Sequence, residues 1–190
     1  MPGTDDELGA GLAARLQTGD AKAFEQLVTC YERPMFNVAY RMLGDAAEAA
    51  DATQDVFLKV FEHIDSFDPK YRLFSWIYRI AMNESLDRLK QRRPAHDVVD
   101  IPVEELPLAG DERGPVQRAH DGEMHNVIQT ALRELSQDYR AVIVLRHFSG
   151  CSYAEMAVIL GIPEKTVKSR LYSARQALAE KLRLKGVTAA

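Results

Sequence analysis

The sequence predicts an all-α protein: two small helical domains joined by a flexible linker, the C-terminal one carrying a helix-turn-helix. Three observations lead there. Ala, Leu, Glu, Gln, Lys and Arg dominate a chain of 190 residues, and all are good helix formers. Strand-like alternation of apolar and polar residues is scarce, while apolar residues recur at three- and four-residue spacing. One internal stretch breaks that periodicity, which splits a chain of this length into two modest cores.

The elements follow in order. Residues 1–20 form a lead-in. Residues 21–43 carry a core face of Phe24, Leu27, Val28, Tyr31, Val38, Ala39 and Met42. Pro34 is expected to kink this helix or split it near Arg33, because it lacks an N–H and clashes with the preceding turn. Gly44-Asp45 is a stop and restart. Residues 46–64 form the next helix, with Ala50, Phe57, Val60, Phe61 and Ile64 on one side. Ser66–Lys70 contains Asp68-Pro69 and reads as a turn. A long helix runs from about Arg72 to Arg92. Residues 94–114 hold Pro94, Pro102, Pro107, Gly110, Gly114 and several acids without periodicity, the signature of a linker. Pro115 suits the first turn of another helix, which carries Val127, Ala131 and Leu135. Ser136 is placed to cap the helix Tyr139–Phe148, which ends at Ser149-Gly150. The second domain spans 115–185, the first 21–93, and 186–190 is a tail.

Residues 152–178 hold the most specific local signal. Ser152-Tyr-Ala-Glu155 has the spacing of a capping box, in which the Ser oxygen and the Glu carboxylate each satisfy a free backbone N–H. The helix that follows ends at Leu160-Gly161, where glycine supplies a left-handed turn residue. Pro163 then opens the next helix. A short helix, a tight turn and a longer helix define the helix-turn-helix layout. Val167, Leu171, Ala174 and Leu178 make the inward stripe of the second helix. Lys165, Ser169, Tyr172 and Gln176 lie opposite, flanked by Thr166, Lys168 and Ser173. Side chains of this length and polarity reach base edges and phosphates in a major groove. Arg170, Arg175, Lys181, Arg183 and Lys185 add phosphate attraction.

The net charge of −4 hides a strong asymmetry. Residues 66–93 carry +4 and residues 163–190 carry +5, whereas 45–65 carry −5 and 94–125 carry −6. Alternating islands of charge point to several partner surfaces. In the first basic island, Trp76, Arg79, Asn83 and Lys90 share one helical face, with Phe74, Ile77 and Ala81 toward another. Phe67, Lys70, Tyr71 and Arg72 precede them. Rings that stack bases, cations that pair with phosphates and an amide that reads a base edge suit single-stranded nucleic acid. The same Trp76 and Phe67 also fit a buried core, with Arg79 reaching outward. In the acidic island, Glu48, Asp51, Asp55 and Glu62 line one side of a helix with Gln54 nearby. That is either a solvated face or a docking surface for a basic partner.

Other classes of function find little support. No apolar run approaches a membrane span, and the acidic N-terminus MPGTDDELGAG has no secretory pattern. Cys30 and Cys151 are isolated, which fits a reducing cytosol without a disulfide framework. His63, His96, His120, His125 and His147 are scattered. His120 and His125 lie five apart and fit exposed polar residues better than metal ligands. H-E-x-x-H, P-loop and dinucleotide-binding patterns are absent. No cofactor, metal or catalytic residue is expected. A dimeric operator-binding regulator, with a helical sensor domain on a similar helix-turn-helix, is the main alternative. It has no use for a Trp/Arg helix beside an Asp-rich one.

Three segments carry a resemblance: DATQDVFLKVF (Asp51–Phe61), FSWIYRIAMNESLDRLKQRR (Phe74–Arg93) and SYAEMAVILGIPEKTVKSRLYSARQAL (Ser152–Leu178). They closely resemble the extracytoplasmic-function (ECF) sigma factors of bacterial RNA polymerase, over about residues 12–184. The resemblance implies a cytoplasmic, non-enzymatic transcription initiation subunit. It implies docking on the β′ coiled coil of core polymerase through Asp51, Gln54, Asp55 and Lys59. It implies capture of single-stranded −10 promoter bases by Phe67, Lys70, Tyr71, Arg72, Trp76, Arg79 and Asn83. Duplex −35 recognition falls to Lys165, Thr166, Lys168, Ser169, Arg170, Tyr172 and Arg175. An anti-sigma factor is an expected further partner, and direct membrane insertion is not expected. Ser173 stands where many relatives carry Arg, Lys165 where many carry Gly, and Leu135-Ser136 where Leu-Pro is frequent.

Overall fold

The structure is a computed structural model that describes residues 4–92 and 115–187. The segment expected to be a linker, 94–114, lies outside the described residues. Every element among them is helical. The first domain comprises α1 (Thr4–Gln17), α2 (Ala21–Leu43), α3 (Ala46–His63) and α4 (Leu73–Gln91), with a short 3-10 turn at Ile64–Ser66. The second comprises α5 (Pro115–Arg133), α6 (Gln137–Ile143), α7 (Tyr153–Leu160) and α8 (Glu164–Leu184).

Local chemistry sets most boundaries. Asp20 caps α2 by accepting from Lys22 N at 2.9 Å and Ala23 N at 3.3 Å. Gly44 ends α2 at φ 78°, a left-handed conformation that favours glycine, and Asp45 caps α3 by accepting from Glu48 N at 2.8 Å. Asp68 Oδ1 accepts from Lys70 N at 3.0 Å and fixes the turn before α4. Ser136 accepts from Tyr139 N at 3.3 Å to start α6. That helix then widens into a π turn, Val144–Phe148, where Ser149 N donates to the Val144 carbonyl at 3.1 Å.

Three expectations are corrected. The lead-in 1–20 contains a helix, and Leu12, Ala13 and Leu16 of α1 are buried in the core. Pro34 does not split α2, which runs unbroken from Ala21 to Leu43. The carbonyl that Pro34 cannot satisfy belongs to Cys30, on the exposed side of the helix, where water can meet it. On α3 and the turn after it, Phe57, Val60 and Ile64 are buried as expected, but Phe61 is 66% exposed and Ala50 is exposed. A buried stripe at 57, 60 and 64 leaves position 61 rotated away by one residue, about 100°.

The two domains pack against each other. One apolar cluster runs from Leu12 and Leu27 through Ile77 and Met82 to Leu132, Leu145, Met156 and Leu171. Polar groups from the second domain also satisfy the C-terminal carbonyls of α2. Gln129 Nε2 donates to the Tyr40 carbonyl at 3.1 Å and the Arg41 carbonyl at 3.3 Å. Buried Arg140 donates to the carbonyls of Leu132 at 2.9 Å, Arg133 at 2.7 Å and Leu135 at 3.3 Å, and also to that of Met42. Burial, with Arg92 and Arg133 nearby, pushes its pKa down to about 10, so it remains charged at neutral pH.

Candidate nucleic-acid and partner interfaces

The helix-turn-helix forms as its sequence dictates. Ser152 Oγ accepts from Glu155 N at 3.2 Å, and Glu155 Oε2 accepts from Ser152 N at 2.8 Å, which completes the capping box. Gly161 closes α7 at φ 65°. A Cβ there would meet nothing within 4 Å, so the glycine serves the backbone conformation alone. Pro163 occupies the cap position just before α8, one residue outside the helix.

Val167, Leu171 and Ala174 are fully buried, and this anchors α8 with one face outward. On that face Lys165, Lys168, Ser169, Tyr172, Arg175 and Gln176 are exposed, Tyr172 at 68%. Thr166 is half-buried. Arg170 points elsewhere, pairing with Asp138 of α6 at 3.1 Å. Arg175 donates to His147 Nε2 at 3.2 Å. Lys168 pairs with Glu164 at 2.6 Å and lies 5.5 Å from the Tyr153 ring, with Arg146 5.1 Å from the same ring. Sequence reasoning passed over Arg146 and Tyr153, because a cation held on a ring by a π turn leaves no periodic trace.

The second candidate surface lies on α4 and the loop before it. Lys70, Tyr71, Arg79 and Asn83 are exposed. Trp76 is half-buried and packs edge-on against Phe67, ring centroids 5.6 Å apart. Phe67 is only 4% exposed, so it props Trp76 from the core side. Two cations on this face are engaged by α7. Arg72 Nη1 pairs with Glu155 Oε1 at 2.5 Å, and Arg79 Nε donates to the Val158 carbonyl at 3.0 Å. Glu155 therefore both caps its helix and bridges the domains. Burial opposes its ionisation, but the Ser152 bonds and the Arg72 charge outweigh that and hold its carboxyl below the ordinary range.

The third surface is α3 with the groove beside it. Asp51 and Gln54 are exposed. Asp55 faces α4 and pairs with Arg88, while Glu48 pairs with Arg92. Lys59 pairs with Glu84, a 7% exposed carboxylate that also accepts from Arg88 Nε at 2.6 Å. Half of the acidic stripe is therefore neutralised within the chain. Next to it a groove of about 590 Å³ runs between α2 and α3, lined by Phe24, Val28, Phe36, Ala50, Phe57 and Leu58 among others. Leu58 is 59% exposed, and the Phe61 ring sits 5.6 Å from that of Phe24 at the groove end. Exposed apolar side chains with a polar rim mark a protein-binding surface.

Among the described residues no group of three or more His, Cys, Asp or Glu is arranged to hold a metal ion. His125 is half-buried, with Nδ1 3.1 Å from Arg41 Nη2 and its ring 5.9 Å from that of Tyr40. No described helix is long and apolar enough to cross a membrane.

A capped helix-turn-helix with an open polar face, on an all-α scaffold that bears an aromatic and cationic helix, defines a DNA-binding transcription protein. Comparison with known proteins narrows the class. Residues 27–94 match the family model for sigma-70 region 2, and residues 125–178 match that for sigma-70 region 4. The chain is 35% identical to the ECF RNA polymerase sigma factor SigW of Bacillus subtilis, across 89% of this chain and 94% of the relative. It is 32% identical to the ECF RNA polymerase sigma-E factor of Escherichia coli, across 90% and 92%. Among solved structures it resembles CnrH in complex with the cytosolic domain of CnrY, with TM-score 0.71 and 26% identity over 93% and 97% of the two chains. It also resembles the sigma factor RpoE in complex with the anti-sigma factor NepR from Bartonella quintana, with TM-score 0.67 and 27% identity over 86% and 98%. The chain belongs to the ECF sigma factors: it binds RNA polymerase and promoter DNA and directs promoter-specific transcription initiation.

Proposed function

We propose a division of labour among the three surfaces. The outward face of α8 reads duplex DNA at the −35 element through Lys165, Lys168, Ser169, Tyr172 and Arg175, with Thr166 at its edge. Arg170 fixes α8 to α6 and acts indirectly. The observation that carries this is the exposure of that face while Val167, Leu171 and Ala174 are sealed beneath it. The exposed part of α4 and its loop takes single-stranded −10 bases, with Trp76 as the stacking ring, Lys70, Tyr71, Arg72 and Arg79 around it, and Asn83 as a base-edge reader. Phe67 supports Trp76 from behind.

Docking on the β′ coiled coil of core polymerase uses Asp51 and Gln54 together with the apolar groove between α2 and α3. Asp55 and Lys59 hold that surface to α4. The first domain runs from α1 through α4 and the second spans 115–185, with 94–114 as the linker between them. An anti-sigma partner covers these faces in the inactive state; among related proteins, CnrH is seen in complex with the cytosolic domain of CnrY and RpoE with the anti-sigma factor NepR. Promoter opening draws on binding energy alone, without an enzymatic step, and the protein works in the bacterial cytoplasm.

Two variants test the assignment, the first in transcription reconstituted with core polymerase. Lys168→Ala with Ser169→Ala lowers output from the cognate promoter about 10-fold or more, since a specific base contact is worth ~1–3 kcal/mol. Unchanged output would show that α8 does not read the −35 element. Asp51→Arg weakens core binding measured by fluorescence anisotropy without altering binding of free duplex DNA. Asp51 is chosen over Asp55 because Asp55→Arg would also set two arginines against each other at Arg88.

A further inference from the structure

The π turn between α6 and α7 brings a titratable side chain to the edge of the α8 reading face. His147 is exposed, and its Nε2 accepts from Arg175 Nε at 3.2 Å. To accept there, the ring must be neutral, with its proton on Nδ1. Arg175 belongs to the outward row of α8. Next to His147 in the chain, Arg146 lies 5.1 Å from the Tyr153 ring, and Lys168 lies 5.5 Å from the same ring. Arg146 is fixed by donating to the Cys151 carbonyl at 2.8 Å. Contacts therefore run from Lys168 through Tyr153, Arg146 and His147 to Arg175, along the border between the turn and α8.

The charges along this border are those of Lys168, Arg146 and Arg175, all positive. Burial, then Arg175 and Arg146, hold the His147 pKa below its ordinary range. The helices α2, α6 and α7 pack against the turn. Asp138, the carboxylate of α6, pairs with Arg170; Glu155, that of α7, pairs with Arg72; and Glu164 at the start of α8 pairs with Lys168. Arg140 of α6 faces core carbonyls, and Arg41 of α2 lies 4.4 Å from the Phe148 ring. An imidazole set among guanidinium groups resists protonation. A phosphate oxygen in the same place reverses that balance, because it attracts the imidazolium and gives it an acceptor.

We propose that His147 is a further DNA-binding residue whose protonation is coupled to duplex binding: a backbone phosphate displaces the Arg175 bond, the ring takes one proton from solvent at Nε2, and His147 and Arg175 then both donate to that phosphate. This role rests on the assignment of α8 to duplex DNA, and it adds a phosphate contact rather than a base contact. The phosphate raises the His147 pKa in the complex above its value in the free chain. The gain in affinity is therefore complete at pH below the free value, and it is lost as pH rises through the value in the complex.

The full chain is titrated with a fluorescent duplex that carries the −35 element of a cognate promoter. Going from about pH 8 to about pH 6 is expected to tighten wild-type binding about 5-fold more than that of His147→Gln, whose amide can still accept from Arg175 but does not titrate. The comparison cancels the response of every other titrating group. At the lower pH the slope of log affinity against log salt is expected to be steeper in the wild type by about 1, since one more phosphate is neutralised. His147→Lys, with a fixed charge, is expected to bind tightly at both pH values. Thermal melts check that the variants stay folded. The same pH dependence in the wild type and His147→Gln overturns the coupling. A pH difference without a difference in salt slope also overturns it, since His147 then acts only by orienting Arg175. Lys168→Ala with Ser169→Ala separates the two readings. If that variant binds the duplex as the wild type does, α8 is not the duplex-reading face and both fall. If it binds more weakly while His147→Gln matches the wild type throughout, only the role of His147 falls.

Discussion

Arg140 offers the sharpest test at the scale of a single side chain. Its guanidinium lies in the core, yet its partners are backbone carbonyls on both domains rather than a carboxylate. Removing it strands several buried acceptors at once, and each such loss costs on the order of 1–3 kcal/mol. Arg140→Ala is therefore expected to destabilise the protein by about 3 kcal/mol or more, read as a fall in denaturant midpoint. A change below about 0.5 kcal/mol would mean that water replaces the guanidinium freely. Nothing in the sequence pattern singles out Arg140, because a helical surface arginine and a buried one look alike until the facing carbonyls are known. Phe67 and Trp76 show the converse. Their residue types suit both a core and a base-stacking site, and the structure buries Phe67 while leaving Trp76 half-exposed against it.

At the scale of the element, the boundaries were the most legible feature. Gly44-Asp45, Ser136, the Ser152–Glu155 box and Gly161 each terminate or start a helix through bonds local to a few residues, so sequence alone carries the information. The buried stripe of α8 was legible for the same reason. The helix α1 was not, because TDDELGAGLAARLQ has two interior glycines and few large apolar residues. Its order comes from the packing of Leu12, Ala13 and Leu16 on the core. A proline inside a helix has a real local cost, hence the expected kink or split near Arg33, but α2 gains enough from packing along its length to run through Pro34 unsplit. Supplying the missing N–H by Pro34→Ala is expected to raise stability by about 1–2 kcal/mol after allowing for the freer unfolded chain. A thermal midpoint that falls instead would mean that the proline ring itself is a needed packing element.

At the scale of the whole molecule, the sequence announced two domains and alternating islands of charge, but not how the domains meet. The meeting depends on single polar contacts between distant segments, such as Gln129 with Tyr40 and Arg79 with Val158, and these produce no periodic signal. The charge islands take on separate meanings once folded. The −5 island is partly neutralised by Arg88 and Arg92 of the +4 island, leaving Asp51 and Gln54 outward, while the polar face of α8 stays exposed. Such a division suits a subunit that must hold a protein partner and DNA at once. With both in place, this chain gives core polymerase a choice of promoter. The most direct measurement is transcription in vitro by core polymerase on a genomic DNA library, with and without this chain, mapping every start site. New starts are expected only with the chain, sharing one sequence element near −35 and another near −10. Starts that are the same with and without the chain, or that share no upstream elements, would contradict it.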